Sequence, residues 1–323
     1  MFLDESIAKD LVITRLLETY YAPLKRFHDD SEVFGQSIVY LSADEIRDKE
    51  SNLGNFIADA FVEFMALKRQ KSNSWTDIPI ALINSGAIRK SIRTSKSKPN
   101  ITRMMMSEAL PFRQRVVSLT LPGVNHEVAN FFRHLAHVLL ETLENSIKSR
   151  GKSRGGEFLQ TSGIRVAYDL TKPIGERVVA AKVYCDLCSY PVYEHINPNK
   201  PYNVLVNTFL ANGGDGHSTI KHKSLNMKPL YAYELDIVRE VLQLYDYIRP
   251  EREERVMYVN NYQKLTCGRE VLQLYDYIRP EREERVMYVN NYQKLTCGVA
   301  CYHRSLFMMF VTGLPLIIYY QIE

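Results

Sequence analysis

The chain has 323 residues, 46% of them hydrophobic and 24% charged, with a formal net charge of +4. That balance excludes a disordered, collagen-like or strongly polybasic chain and leaves room for a full hydrophobic core, in one domain or two. Five cysteines, an odd number with none before Cys185, exclude a dense disulfide scaffold.

Residues 6–28 carry Ile7, Leu11, Ile13, Leu16, Leu17, Tyr20 and Leu24 in a roughly helical stripe, which Pro23 should interrupt near its end. Met1-Phe2-Leu3 meets Asp4 and Glu5 at once, so the chain shows no apolar leader and its start reads as the interior of a longer polypeptide. A strand is predicted at 37–41. A helix follows at 51–69, where Leu53, Phe56, Ile57, Ala60, Phe61, Phe64 and Met65 recur at helical spacing behind a Ser51 or Asn52 cap. Further strands are predicted at 78–84, 115–121, 163–169, 177–184 and 202–207, with a helix-rich part at 126–148. The basic run Lys90, Arg93, Lys96, Lys98 and Arg103 lacks interleaved aromatic residues, so it reads as a solvated loop or a weak lure for phosphorylated small molecules rather than a nucleic-acid patch.

Residues 239–268 return unchanged as 269–298. Two copies are too few for a self-supporting solenoid. The first has a role to fill, as a closing helix at 236–247 and a closing strand at 255–258. The second, a recent duplication or an assembly artefact, should pack poorly or peripherally. The apolar tail from Leu306 to Tyr320 is short for a membrane span, which needs about 20 apolar residues. It reads either as a buried element or as a lipid-anchor attachment signal behind the small residues Gly298 and Ala300.

Two glycine-punctuated loops carry the chemistry. Asn84-Ser85-Gly86-Ala87-Ile88-Arg89 follows the strand-like run ending at Ile83, and Phe209-Leu210-Ala211-Asn212-Gly213-Gly214-Asp215-Gly216 follows the run 202–206. Glycines after a strand permit tight turns and let a ligand approach the main chain. Either loop alone could be an ordinary polar turn. Together they offer a guanidinium, a carboxylate and a flat ring, which suits a nucleotide. The eight histidines (His28, His126, His134, His137, His195, His217, His222 and His303) are scattered, and only His134 and His137 share a helical face. No di-metal ligand pattern is present, so neither a metal site nor a catalytic residue is assigned. Cys185 and Cys188 could form a redox pair, half of a zinc site or a structural link.

These loops occur in order with Asn52-Leu53-Gly54-Asn55, Leu110-Pro111-Phe112 and Gly156-Glu157-Phe158-Leu159-Gln160. The set resembles the C-terminal domain of the 5'-nucleotidase and apyrase family, its animal members most closely. The resemblance runs from about residue 35 to about 260 and implies an α+β fold, with mixed sheets covered by helices and preceded by a linker helix. The organisation expected is a linker helix at 1–30, the domain at 31–262, the duplicated copy at 263–298 and the tail at 299–323. It also implies an insertion after Gly123, and a Cys185–Cys188 disulfide made in an oxidising compartment.

Phe112 and Phe209 stand where the family clamps the base from both faces. Asp215 stands at the ribose acceptor, beside Gly214. Asn84 and Gly86 lie near the base, Arg89 reaches the ribose-phosphate end, and Lys49 stands where a second phosphate-side arginine is common. Ser85 and Ala87 replace family glycines and should narrow the loop, while His217 replaces an aromatic. The partners expected are a nucleotide or nucleoside, an N-terminal catalytic domain that alone holds divalent, zinc-type metals, and a second copy of the chain in a homodimer; nucleic acid is not among them. The location implied is extracellular or at the cell surface. On this reading the chain binds AMP- or adenosine-type ligands for a hydrolase. The alternatives are an inactive nucleotide-scavenging module or a degenerate fragment that binds nothing.

Overall fold

The computed structural model describes residues 10–29, 32–69, 73–123, 138–149, 155–197, 199–259, 265–267 and 270–272. The region expected as an insertion, His126, His134 and His137, most of the second repeat copy, Cys297, Cys301 and the apolar tail lie outside them.

In chain order the elements are α1 (Leu11–Asp29), β1 (Val33–Gln36), α2 (Asn52–Leu67), β2 (Ile80–Asn84), β3 (Asn100–Thr102), α3 (Arg103–Ala109) and β4 (Arg115–Leu121). There follow α4 (Val138–Ser146), β5 (Leu159–Ser162), β6 (Ile164–Asp169), β7 (Val178–Tyr184), β8 (Tyr193–His195) and β9 (Tyr202–Asn207). The last are α5 (Thr208–Ala211), α6 (Ser218–Lys223), β10 (Leu225–Tyr233), α7 (Glu234–Leu242), β11 (Val256–Val259), β12 (Leu265–Cys267) and β13 (Glu270–Leu272).

Two mixed sheets organise the described chain. The larger runs β10-β4-β9-β2-β5, with β2 and β9 parallel and the other neighbours antiparallel. The smaller runs β11-β6-β7-β8, with β11 parallel to β6. Strand alternation divides the core. On one face of the large sheet Ala81, Ile83, Val116 and Leu205 pack with Phe56, Phe61 and Phe64 of α2 and Ile237 and Val241 of α7. On the other face Ile80, Leu82, Leu119, Val204 and Val206 meet Leu139 and Leu143 of α4 and Ile164, Val166 and Val183 of the small sheet. Every residue of β2 is therefore buried, as befits a central strand covered on both faces.

The chain passes between the sheets at Gly163, whose φ is +72° and where a side chain would run into the carbonyl of Pro79. Ser51 proves to be the cap of α2, its hydroxyl accepting from the Gly54 N–H at 2.9 Å. Two expectations need correction. The predicted strand at 37–41 is two isolated bridges, Ser37 to Ile248 and Leu41 to Ile92, while the paired strand lies just before it as β1. Pro23 does not end the first helix. α1 runs through it to Asp29, because a proline removes a single N–H and the turns on either side still hold. Leu11, Val12, Ile13, Leu16, Leu17 and Tyr20 of α1 are exposed.

The first repeat copy supplies part of α7 and all of β11, as its place in the sequence requires. Its segment is tied down by Glu50, which accepts from the N–H groups of Glu253 (2.6 Å) and Arg255 (2.7 Å). The Arg255 guanidinium forks onto Asp59 of α2 at 2.8 and 2.6 Å and also donates to the Thr161 carbonyl at 2.6 Å. The second copy begins by pairing β13 against β12.

Cys185 and Cys188 form a disulfide with Cα atoms 5.6 Å apart. Trp75 docks on this turn: its indole N–H donates to the Cys185 carbonyl at 2.8 Å and its backbone N–H to that of Cys188 at 2.9 Å. As Trp75 is the chain's one tryptophan, reduction should change the fluorescence emission while far-UV circular dichroism stays constant. So short a loop contributes about 2 kcal/mol at most in the chain-entropy account. Loss of secondary structure on reduction would overturn that estimate.

Candidate functional site

The topology brings four loops to one edge of the large sheet. β2 and β9 are parallel neighbours, so the segments after Asn84 and after Asn207 leave side by side at their carboxyl ends, the usual place for a ligand crevice in a sheet with parallel strands. β4 and β5 run the opposite way beside them, pairing Val116 with Asn207 and Leu159 with Asn84. Their incoming segments, Phe112–Gln114 and Gly156–Phe158, therefore arrive at the same edge.

A cavity of about 260 Å³ opens between these loops. The rings of Phe112 and Phe209 both border it, and they are 52% and 41% exposed. Asn84, Asn207, Asp215, Gly86, Gly156 and Gln114 line it as well, Asn84 and Asn207 being buried, and Arg47 and Arg89 complete the wall. The Phe209 ring lies against Gly214, where a side chain would collide with it. Gly214 therefore supports the site from behind rather than lining it. Asp215 takes a left-handed backbone (φ 51°) between Gly213 (φ 83°) and Gly216 (φ 77°), so the loop turns the carboxylate back over the sheet edge. There Asp215 Oδ2 accepts from Asn84 Nδ2 at 2.7 Å.

Ser85 and Ala87 do not strain this backbone, and Ala87 borders the cavity. The segment 85–87 forms one turn of 3-10 helix without any positive φ, so it needs no further glycine. The Ser85 hydroxyl donates to the Gly156 carbonyl at 3.2 Å, which stitches the two loops together. His217 stitches as well. Its Nε2 lies 3.0 Å from the Glu157 carbonyl, a geometry that requires the proton on that nitrogen, and burial holds the imidazole below its ordinary pKa.

Arg89 lies with its guanidinium carbon 5.9 Å from the centre of the Phe112 ring and donates to the Gly86 carbonyl at 3.3 Å. Lys49 is not brought into the cavity wall. Its ammonium pairs with Glu45 at 3.0 Å on the surface, and Arg47 borders the cavity instead. Gln160 fixes that turn, its side-chain amide donating to the carbonyls of Ile46 (3.0 Å) and Lys49 (2.8 Å), while the Tyr258 hydroxyl donates to that of Asp48 (2.9 Å).

Sequence reasoning also missed Asn207, Gln114 and Glu234. The Asn207 side chain caps α5, accepting from the Leu210 N–H at 2.9 Å, and that capping position was the available signal. Glu234 is 1% exposed behind the cavity, where burial lifts its carboxyl to about 7 against the hydrogen bonds from Asn207 and the Gln114 backbone that lower it. Among the described residues one cluster of metal-type donors occurs, Cys185, Asp186 and Glu194. It is already engaged: the cysteine is in the disulfide, and Lys200 bridges Asp186 (2.7 Å) and Glu194 (3.0 Å). No described helix is long and apolar enough to cross a membrane.

A family model described as "5'-nucleotidase, C-terminal domain" matches residues 33–222. Protein 5NUC of Lutzomyia longipalpis is 31% identical over 268 residues, covering 82% of this chain and 44% of that protein. A snake venom 5'-nucleotidase of Macrovipera lebetinus is 30% identical, covering 80% and 60%. The apyrase of Tabanus yao is 34% identical over 200 residues, covering 61% and 33%. Among solved structures, the 5'-nucleotidase precursor from Thermus thermophilus matches with a TM-score of 0.63 at 28% identity, over 80% of this chain and 45% of that one. The chain thus spans between about a third and three fifths of the length of these relatives.

Proposed function

The chain belongs to the 5'-nucleotidase C-terminal domain family, and from that premise we propose that it binds and orients the nucleotide for a hydrolase that removes phosphate from extracellular nucleotides. The observation that carries the reading is the single cavity bordered by Phe112, Phe209, Asp215 and two arginines. Two flat rings suit the faces of a purine, each stacking contact being worth about 1–3 kcal/mol. Asp215, held by Asn84, offers carboxylate oxygens to the ribose hydroxyls. Arg47 and Arg89 offer planar donor forks to phosphate, and Arg47 takes the part that Lys49 has in the sequence reading.

In this reading the metals and the attacking water belong to the metallophosphatase domain that the resemblance implies. The described residues of this chain supply the clamp. The Cys185–Cys188 disulfide fits an extracellular or cell-surface site of action, since such bonds persist where the surroundings are oxidising.

Calorimetric titration with adenosine, AMP and ATP, with and without divalent metal, tests the proposal. Adenosine and AMP should bind without metal, and Phe209→Ala should weaken both by about tenfold. Arg47→Ala should weaken AMP alone, leaving adenosine at wild-type affinity, because only AMP carries the phosphate. Absence of heat with all three ligands would sink the reading in favour of a domain that binds nothing.

A further inference from the structure

Two side-chain amides connect the floor of the cavity to a buried carboxylate. Glu234 Oε1 accepts from Asn207 Nδ2 at 3.0 Å. The same nitrogen donates to Asn84 Oδ1 at 3.1 Å, and Asn84 Nδ2 donates to Asp215 Oδ2 at 2.7 Å. Donation therefore runs both ways from Asn207, inward to Glu234 and outward through Asn84 to Asp215. Amide oxygen and nitrogen are nearly the same size, so packing alone does not decide which way an asparagine faces; its hydrogen-bond partners do. Asn207 is held at both of its atoms, with Oδ1 accepting from the Leu210 N–H and Nδ2 facing Glu234.

We infer that Glu234 is a positioning residue for the nucleoside site: as the closed-end acceptor it orients the Asn207 and Asn84 amides, so that Asn84 presents a donor to Asp215 and leaves Asp215 Oδ1 for the ligand. The inference rests on the nucleotide-binding reading and adds to it a residue that does not border the cavity. Glu234 is the first residue of α7, where a carboxylate is favoured by the helix dipole. Its own N–H donates to the Gln114 carbonyl at 2.9 Å, so it also fixes the residue beside Phe112 and Arg113 in the incoming loop. An apolar side chain at 234 would leave the fully buried Asn207 nitrogen short of an acceptor. If Asn207 turned to recover one, Asn84 would turn with it, and the Asn84 oxygen would then face the Asp215 carboxylate.

The test reverses the direction of donation while residue 207 keeps all its partners. In the double variant E234Q/N207D, the new carboxylate still caps α5 and accepts from the new amide, but it can only accept from Asn84, which must then turn its oxygen toward Asp215. The expected result is a folded protein, melting close to wild type, whose calorimetric affinity for adenosine falls about tenfold. The single variant E234Q keeps the acceptor and should lose less than threefold. A folded double variant that binds adenosine as tightly as wild type overturns the inference and leaves the nucleotide reading intact. If the double variant does not fold, the Asn84 side-chain amide resonances decide on E234L. They should move in E234L and hold in E234Q, and identical signals in both would overturn the inference. Failure of the wild-type chain itself to bind adenosine would overturn the nucleotide reading and this inference together.

Discussion

Glu234→Gln should gain about 2.5 kcal/mol of stability relative to the wild-type chain between pH 5 and pH 8. Burial raises the Glu234 carboxyl from its ordinary value of 4.5 to about 7 in the folded protein. A group with a raised folded pKa binds more protons folded than unfolded in that interval, so wild-type stability falls as pH rises from about 4.5 through about 7. Each unit of difference corresponds to about 1.4 kcal/mol, and pH 5 to 8 spans most of the window. Glutamine keeps the oxygen that accepts from Asn207 and has nothing to ionise, so its profile lacks that slope. His217 acts in the opposite sense. Its folded pKa is lowered, so its contribution is present above the ordinary imidazole value and is lost as pH falls through the folded one. Glu144, which burial also raises, slopes the same way as Glu234. Both are common to the two proteins and cancel in the difference between them. Urea unfolding of each protein at both pH values measures the effect, and parallel profiles would place the Glu234 titration near its ordinary value.

The parts of the fold legible in the sequence are those whose periodicity meets a two-sided or one-sided core. The strands predicted at 115–121 and 202–207 are observed with those limits, and the helix around Phe56, Phe61 and Phe64 appears as α2. β10 was not legible. It is an exposed edge strand containing Asn226, Lys228 and Pro229, with positive φ at Asn226 and Tyr231 that breaks its register. Its apolar residues, Leu225 and Met227, then Leu230 and Ala232, change phase across Pro229, and a proline there reads as a turn.

The same logic separates the site residues. Asn84, Phe112, Phe209 and Asp215 sit in loops whose composition points to a ligand, and the structure brings them to one cavity. Arg47 and Lys49 are cations two residues apart, and only the turn fixed by Gln160 and Tyr258 decides which borders the site. Glu234 was invisible for a different reason. A carboxylate in the first turn of a helix has a sufficient local explanation, and its partner Asn207 lies on another element.

Gly156→Ala should abolish most nucleoside affinity, about a hundredfold, while leaving the fold in place. A β-carbon at Gly156 would stand 2.5 Å from Asp215 Oδ2 and 3.0 Å from the Cα of Gly86. The second contact asks the two loops to separate by a few tenths of an ångström, which they can do at a sheet edge. The first cannot be accommodated with the carboxylate in place. Asp215 would have to swing away, giving up its 2.7 Å hydrogen bond to Asn84 and the position from which it would meet the ribose. A hundredfold loss corresponds to about 2.7 kcal/mol, the scale of a charged acceptor removed from two hydroxyl donors. The core contacts of Phe158 and Leu159 lie beyond the affected atoms, so the melting temperature should fall by no more than a few degrees. Adenosine calorimetry beside a thermal melt checks both halves. Wild-type affinity in a well-folded Gly156→Ala protein would mean that the Asp215 carboxylate is not what holds the ribose.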